Sequence, residues 1–308
     1  MNEADFVSIG GIDQWIAFQG HDAHNPAILY LHGGPSEAQS PFLKLFLPWE
    51  EDFTVVNWDQ RGSGKTFGRN GLSTPNMTLD RMVDDAIEIA EHICSRLSQR
   101  KVILVGQSWG SFLGVNVIKR RPELFHAFVG TGQLVSVAAV LKDRVQWTRQ
   151  AATAAGDQAT LRALDDAAAL PPERRFDVES QLTKKWLLSP QDVAYAKIVS
   201  DFMGTNPAEA KGDAADWIAG NAFTGSKLKS TTDTMDLRTL GLDMPIPFFV
   251  IQGREDHITG FNSARDYVEE IRAPRKAFIP IEGGHFACFT NPDQFVAALK
   301  EHVRPLAL

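Results

Sequence analysis

Short apolar runs ending in glycine-rich turns recur through the first third of the chain. They cover 27–33, 54–59 and 101–106, and nearly every residue in them is apolar. Such runs are typical of strands that are buried on both faces of a parallel sheet. Residues 6–18 alternate loosely around a Gly-Gly pair, which predicts an opening hairpin. The pattern therefore predicts a hairpin followed by a parallel sheet.

Helical periodicity appears between these strands and again near the end of the chain. Apolar residues recur every three or four positions over 79–97, with Thr78 as a candidate N-cap. After residue 240, two further strands and two further helices are expected at 247–253, 276–283, 263–272 and 292–303. Strands and helices that alternate in this way predict an α/β fold with a mostly parallel sheet.

The middle of the chain, 134–238, breaks this alternation. It contains no clear strand, alanine dominates 151–170, and a Pro-Pro pair follows directly. Alanine favours packed helices. We therefore predict a helical cap over 134–238, inserted into a core formed by 1–133 and 239–308.

Composition narrows the possible functions. The chain has 308 residues, of which 44% are hydrophobic and 22% charged, as in ordinary globular proteins. Its net charge is −7 and it has no basic run, so nucleic acid is not an expected partner. No apolar run reaches the roughly 20 residues of a membrane helix, so no membrane association is expected.

The positions of the cysteines and histidines bear on the cellular location and on whether the chain has a metal site. Cys94 and Cys288 lie far apart, and the N-terminus lacks a signal pattern, so a cytoplasmic location is expected. His21 and His24 lie among turn residues, and no cluster of ligands with zinc spacing is present. We expect neither a metal nor a cofactor.

The strongest chemical motif follows the strand at 101–106. It consists of Gly106-Gln107-Ser108-Trp109-Gly110 and precedes a predicted helix at 111–120. This is the G-x-S-x-G nucleophile elbow in its strand-turn-helix context, and the sharp turn lifts the serine hydroxyl out of the sheet. Ser108 is the predicted nucleophile.

A serine nucleophile needs a base, and in this type of fold the acid and the base follow it along the chain. Asp256 and His285 lie just beyond the predicted strands at 247–253 and 276–283. We predict that His285 is the base and that Asp256 orients it. The adjacent competitors are His257 and Glu255.

Two main-chain N–H groups are needed to hold a developing oxyanion. Trp109, which follows the nucleophile, is expected to supply one of them. Gly34 in the His-Gly-Gly-Pro turn after the first buried strand is expected to supply the other, with Gly33 as the alternative. His32 is expected to be structural and to form hydrogen bonds within this loop.

The segment 59–66 resembles the end of a phosphate-binding loop through Gly64-Lys65-Thr66. The Walker pattern requires a glycine five positions before Gly64, and Asp59 stands there, so a nucleotide site is rejected. Asp59 and Arg61 are instead expected to pair internally and to hold this loop beneath the active site.

Together these motifs resemble the prolyl aminopeptidases (proline iminopeptidases), which are α/β-hydrolase-fold serine peptidases. The resemblance rests, in chain order, on HGGP, DQRGSG, GQSWG, GRED and GGH. It covers about 27–130 and 240–303. It implies an eight-stranded sheet with a helical cap after the sixth strand, and release of an N-terminal residue, typically proline, from peptides.

The chain departs from this family in the elbow and at the positions that would bind the substrate amine. Gln107 replaces a glycine in the elbow, and the glutamate patterns of the family's cap, which would bind the amine, are absent. Glu37, beside the oxyanion loop, is a candidate substitute anion. Trp147 and Trp217 are candidate substrate contacts within the cap.

Two enzymatic functions remain. The first is an aminopeptidase that releases N-terminal proline or another small residue from a short peptide, or cleaves a related small molecule, through an acyl-enzyme. The alternative is an esterase, lactonase or non-peptide amidase with the same triad and a different cap pocket. A non-catalytic binding protein would be expected to have a broken triad or oxyanion loop, which the sequence does not show. The oligomeric state is left open.

Overall fold

A mixed sheet forms the centre of the molecule, a computed structural model that describes residues 1–204, 206 and 209–308. Within these residues the sheet has eight strands in the order β1-β2-β4-β3-β5-β6-β7-β8. The strands are β1 (Asn2–Ile9), β2 (Ile12–Gln19), β3 (Ala27–Leu31), β4 (Thr54–Trp58), β5 (Val102–Gln107), β6 (Phe125–Thr131), β7 (Phe248–Gly253) and β8 (Lys276–Ile281).

The strand pairing confirms the predicted fold class. β1 and β2 form the expected antiparallel hairpin, β2 pairs antiparallel with β4, and the remaining pairs are parallel. The carboxyl ends of β3 and of β5 to β8 therefore meet at one edge of the sheet, where ligand crevices form in open α/β sheets. Strand β6 was not predicted from the sequence.

Six of the described helices belong to the α/β core. They are α1 (Gly64–Asn70), α2 (Leu79–Leu97), α3 (Trp109–Arg120), α10 (Phe261–Glu270), α11 (Ala287–Thr290) and α12 (Pro292–His302). The bounds of α2 match the prediction, and the Thr78 side chain accepts the main-chain N–H of Arg81 as an N-cap. Short 3₁₀ turns, including 40–49, complete the connections.

Side chains alternate between two apolar layers on the two faces of the sheet. Leu29 and Leu31 of β3 pack with helices α2 and α3, whereas Ile28 and Tyr30 face the 3₁₀ segment and helix α12. Burial on both faces explains why these strands are continuous apolar runs.

A helical insertion, residues 137–233, lies between β6 and β7. It contains α4 (Val137–Ala154), α5 (Gln158–Ala168), α6 (Pro172–Thr183), α7 (Pro190–Met203), α8 (Asp213–Lys227) and α9 (Lys229–Asp233), and no strand among its described residues. A bridge between Ser136 and Asp236 joins its two ends. The position of these helices after the sixth strand is the one that the family resemblance implied.

The expected pairing of Asp59 with Arg61 is wrong. Arg61 pairs with Asp85 of α2, with 2.6 Å between Nε and Oδ2 and both side chains fully buried. Asp59 instead accepts hydrogen bonds from Ser40 and from the main-chain N–H of Lys65. Both residues make internal contacts, but their partners lie in other segments, which sequence spacing does not reveal.

The Arg61–Asp85 pair gives a prediction about stability. Asp85→Ala leaves a buried guanidinium without its carboxylate, so we expect the free energy of unfolding to fall by roughly 3–5 kcal/mol. The matched control is Asp84→Ala, which removes a neighbouring exposed carboxylate bound to Arg120 at 2.7 Å, and should cost less than about 1 kcal/mol. Urea denaturation measures both, and equal effects would contradict the prediction.

Candidate active site

Ser108 lies in a strained turn between β5 and α3. Its φ of 53° and ψ of −120° place a non-glycine residue in a region that side chains rarely adopt. Strain of this kind costs on the order of 1–3 kcal/mol and clusters at functional sites. The backbone thus has the conformation expected of a nucleophile elbow.

Close backbone approach explains the two glycines of the elbow. A Cβ on Gly106 would lie 2.3 Å from the carbonyl oxygen of Gly110, and one on Gly110 would lie 2.0 Å from that of Leu31. Neither distance is sterically possible without moving the backbone. The sharp turn therefore requires glycine at both positions.

His285 and Asp256 meet at the edge of the sheet, as predicted. The Nδ1 atom of His285 lies 3.0 Å from Oδ2 of Asp256, and both side chains are buried. Since an ionised carboxylate only accepts hydrogen bonds, Nδ1 carries the hydrogen and donates it. This tautomer leaves Nε2 with a free lone pair in the neutral ring, as a general base requires.

Asp256 is held by four further hydrogen bonds. Its Oδ1 accepts the main-chain N–H groups of Ile258 and Thr259, and its Oδ2 accepts the Thr259 hydroxyl at 2.8 Å and the Gln252 amide at 2.7 Å. These donors fix the carboxylate in one orientation. Gln252 and Thr259 were not predicted as supports from the sequence.

The electrostatics of the pair favour the charged forms. Burial opposes the ionisation of Asp256, but the charge and hydrogen bonds of His285 and Thr259 hold its pKa below the usual value. Burial also disfavours the imidazolium of His285, yet the negative charges of Asp256, Asp192 and Glu37 raise its pKa above the usual value. A base strengthened in this way suits proton abstraction near neutral pH.

Gln107 contacts the His285 ring at Nε2, on the side away from Asp256. Its side-chain nitrogen lies 3.1 Å from Nε2 of His285, so the amide donates to the lone pair described above. Among the described residues no hydrogen bond joins Ser108 to His285. Ser108 and His285 nevertheless line one cavity. The amide of Gln107 occupies the position at Nε2 of His285 that the serine proton would take.

The competing acid and base lie elsewhere. Glu255 is exposed to solvent, and the ring of His257 stacks on Trp147 with 3.7 Å between their centroids. Neither residue lines the cavity that contains Ser108. Asp256 and His285 remain the better candidates on position as well as on burial.

The His-Gly-Gly-Pro turn is tied to the elbow through Gln60. The Gln60 side chain donates to the carbonyl of His32 at 3.0 Å and accepts the indole N–H of Trp109 at 3.1 Å. His32 is fully buried, accepts the main-chain N–H of Gln60, and contacts the carbonyl of Gly33 at 2.9 Å. Burial lowers the pKa of His32 to about 4, which keeps the ring neutral and fits the expected structural role.

The two candidate oxyanion donors belong to the two segments that Gln60 links, the His-Gly-Gly-Pro turn and the elbow. Gly34 is exposed at the cavity, and Trp109 is the first residue of α3, where a main-chain N–H has no acceptor within the helix. Neither N–H donates to an acceptor among the described residues. Their role in holding an oxyanion stays a prediction.

A cavity of about 350 Å³ opens above Ser108 and His285. Helices α4 and α6 of the helical insertion form its roof, and much of its wall is apolar. The apolar lining consists of Leu134, Val137, Val140, Leu141, Phe176, Met235, Ile258 and Phe286. A volume of this size suits a small ligand.

Two residues of opposite charge also line this cavity. Glu37 follows the oxyanion turn, and Arg144 lies on α4. The carboxylate of Glu37 has no ion pair or hydrogen bond with another described side chain, and burial raises its pKa. The cavity therefore contains one unpaired anion close to His285.

Neither predicted tryptophan lines this cavity, so the structure does not support them as direct substrate contacts. Trp147 lines a neighbouring cavity with His257, and its indole donates to the carbonyl of Trp186 at 2.7 Å. Trp217 is buried and donates to the carbonyl of Ala38 at 3.1 Å. Both rings pack the helical insertion rather than the catalytic cavity.

Asp192 is a supporting residue that was not predicted from the sequence. It belongs to a capping box with Ser189 at the start of α7, and its Oδ1 accepts the main-chain N–H of Phe286 at 3.1 Å. This contact fastens the helical insertion to the loop that carries His285. The capping-box spacing was readable from the sequence, but its contact with the loop was not.

The described residues contain no group of three His, Cys, Asp or Glu side chains able to hold a metal ion. None of the described helices has both the length and the apolarity needed to cross a lipid bilayer.

Comparison with known proteins relates most of the chain to one family. A family model described as serine aminopeptidase, S33, matches residues 26–293. The probable aminopeptidase YbaC of Bacillus subtilis (strain 168) is 28% identical over 308 residues, which cover 97% of this chain and 95% of that protein. A probable proline iminopeptidase of Streptomyces coelicolor is 29% identical over 119 residues, 37% of this chain and 36% of its own.

Among solved structures, a proline iminopeptidase-related protein of Thermus thermophilus has the same fold. It superposes with a TM-score of 0.68 at 22% identity, over 100% of this chain and 99% of that one. The match of the family model over most of the chain, together with this architecture, establishes that the protein belongs to the serine aminopeptidase (S33) family of α/β hydrolases.

Proposed function

We propose that this hydrolase is an aminopeptidase that uses Ser108, His285 and Asp256 to release an N-terminal residue through an acyl-enzyme. The observation that carries the proposal is the buried Asp256–His285 pair, which opens into one cavity with the strained Ser108 and the unpaired carboxylate of Glu37. The pair supplies a base, the turn a nucleophile, and Glu37 a partner for a substrate amine.

In the first step the Ser108 hydroxyl loses its proton to Nε2 of His285 and attacks the amide carbonyl. The amide of Gln107 must leave Nε2 for this transfer, since it donates to the same lone pair in the structure. The negative charge that develops on the carbonyl oxygen is stabilised by the N–H groups of Gly34 and Trp109.

The tetrahedral intermediate then collapses. His285 gives its proton to the leaving amine, the C–N bond breaks, and the acyl group stays on Ser108. Water gives a proton to the same ring and attacks the ester carbonyl; the bond to the Ser108 oxygen then breaks, the ring returns the proton to that oxygen, and the free amino acid leaves. The Asp256 carboxylate stabilises the imidazolium in both halves of the reaction.

Glu37 accounts for the aminopeptidase assignment. It lies within electrostatic range of His285 and lines the same cavity, so an ammonium group bound there would place the adjacent carbonyl close to the catalytic residues. A charged pair in a partly dry pocket is worth more than at the surface. The limited cavity volume favours proline or another small residue as the acyl group.

Glu37→Gln tests this role. We expect kcat/KM for a prolyl or alanyl arylamide to fall about 10- to 100-fold, the size of a lost charge-assisted hydrogen bond of roughly 1.5–3 kcal/mol. The matched control is the N-acetylated ester of the same amino acid, which has no ammonium group and should lose less than about threefold. Equal losses on both substrates would show that Glu37 does not bind the amine.

A second candidate function follows from the apolar wall of the cavity, which would equally accept an acyl ester, a lactone or a non-peptide amide. A panel of acyl esters, lactones and aminoacyl arylamides separates the two. The aminopeptidase proposal expects free-amine arylamides to be cleaved with the highest kcat/KM. If only the acyl esters or lactones turn over, the triad is retained and the proposed substrate is wrong.

A further inference from the structure

Arg144 is a cation in the catalytic cavity that the proposed chemistry does not use. It lies on α4, and its Nε and Nη2 atoms both donate to the carbonyl oxygen of Ile258, at 2.8 and 2.5 Å. Its side chain is partly exposed towards the cavity. Among the described residues no other acceptor binds the guanidinium, so its remaining N–H groups can bind a ligand.

No carboxylate of the described chain pairs with Arg144. Two other arginines of the helical insertion do have such partners: Arg149 pairs with Asp165 at 2.7 Å and Arg175 with Glu179 at 2.8 Å. Burial lowers the pKa of Arg144, an effect that the charge of Asp256 opposes, and a guanidinium remains charged at neutral pH all the same. A cation that is partly removed from water and lacks a counter-ion favours an anionic ligand.

The strand order puts the segment that carries Glu37 and the segment that holds Arg144 on opposite sides of the nucleophile strand β5. Glu37 follows β3, which neighbours the nucleophile strand β5 on one side, whereas Ile258, which holds Arg144, follows β7 on the other side. Three strand spacings of roughly 4.8 Å separate β3 from β7, or about 14 Å. The cavity wall thus carries an anion from one side of the nucleophile strand and a cation held by a loop from the other side.

We propose that Arg144 binds the C-terminal carboxylate of the substrate, so that the enzyme acts preferentially on free peptides of about two or three residues. This inference rests on the proposed aminopeptidase function, in which the amine lies towards Glu37. The carbonyl attacked by Ser108 then lies between the two charges, and the leaving part of the peptide points to Arg144.

The dimensions agree with this substrate class. An extended chain spans roughly 3.3–3.6 Å per residue, so two or three residues cover about 7–11 Å. The gap of about 14 Å between β3 and β7 leaves room for a chain of this length together with the two charged groups that would bind its ends. A guanidinium also matches the geometry of a carboxylate, which it can bind through two parallel hydrogen bonds.

The test compares alanyl-alanine with alanyl-alanine amide, two substrates that differ only in the terminal charge. For the unmodified enzyme we expect kcat/KM to be about 10- to 100-fold higher for the free acid. Arg144→Met should abolish this preference, so that the free acid and the amide are cleaved with the same kcat/KM. Arg149→Met, on the same helix but outside the cavity, should leave the preference unchanged.

Two results would overturn the inference. The first is equal cleavage of both dipeptides by the unmodified enzyme. The second is a preference for the free acid that persists in Arg144→Met, and if both substrates then lose activity equally, Arg144 holds the loop at Ile258 instead.

A labelling experiment separates this inference from the proposed function, since a fluorophosphonate reacts with an activated serine without any peptidase activity. N-acetylalanine should slow the labelling of the unmodified enzyme more than N-acetylalanine amide does, and Arg144→Met should remove the difference. If no arylamide is cleaved but this difference is present, the peptidase proposal fails and the carboxylate site stands. Equal protection by the acid and the amide refutes the carboxylate site.

Discussion

Ser108→Ala is expected to lower kcat/KM by about 10⁴-fold or more on every substrate that the enzyme cleaves, because members of a triad act as a unit. The strained backbone at residue 108 aims this hydroxyl at the cavity shared with His285, and the sequence change removes only one oxygen atom. Substrate binding through Glu37 and the apolar wall should persist. The measurement is steady-state kinetics, with the melting temperature as a check on folding.

Ser180→Ala is the matched control for this prediction. Ser180 lies on α6 and also faces the cavity, so its removal tests whether any hydroxyl there matters. We expect less than about a threefold change in kcat/KM. Substantial activity in Ser108→Ala, with the fold intact, would contradict the nucleophile assignment.

Asp256→Asn is expected to lower kcat by about 10³- to 10⁴-fold, as in other triads in which the acid is neutralised. The main-chain N–H groups of Ile258 and Thr259 require an oxygen at the Oδ1 position, so the new NH₂ group must replace Oδ2. That group would donate to Nδ1 of His285 and force the ring hydrogen onto Nε2. The ring could then no longer accept the proton of Ser108.

The pH profile provides a second measure of the same substitution. Asp256 contributes to raising the pKa of His285, so in the unmodified enzyme activity should be lost as the pH falls through a value above the usual pKa of a histidine. In Asp256→Asn this acidic limb should move to lower pH. Glu255→Gln, on the exposed neighbour, should leave both the rate and the profile unchanged. An unaltered profile in Asp256→Asn would contradict the assigned pair.

Local signals account for what the sequence predicted. The periodicity of 79–97 and the N-cap Thr78 specified helix α2 because both depend on residues close together in the chain. The G-x-S-x-G motif specified the elbow because its glycines are required by contacts within a single turn and with the adjoining strand. Asp256 and His285 could be placed together because parallel strands end at one edge of the sheet.

Long-range contacts account for what the sequence could not predict. The partner of Arg61 is Asp85 rather than the nearby Asp59, and it is brought there by the packing of α2. Strand β6 has an interior histidine, His126, and follows a short 3₁₀ turn, so its apolar pattern is weaker than that of its neighbours.

The polar residues around His285 could not be predicted from sequence patterns either. Gln107 and Asp192 contact His285 and the following residue from segments about 180 and 90 positions away. Arg144 lies in an alanine-rich helix that has no recognisable motif. Each of these contacts depends on how the helical insertion and the loops pack on the sheet.

The most direct test of the central claim, that His285 activates Ser108, is mapping of a fluorophosphonate adduct by mass spectrometry. We predict a single adduct on the peptide containing Ser108, formed rapidly in the unmodified enzyme and at least about 10³-fold more slowly in His285→Ala. An adduct on another serine, or labelling of Ser108 at the same rate without the imidazole, would contradict this claim.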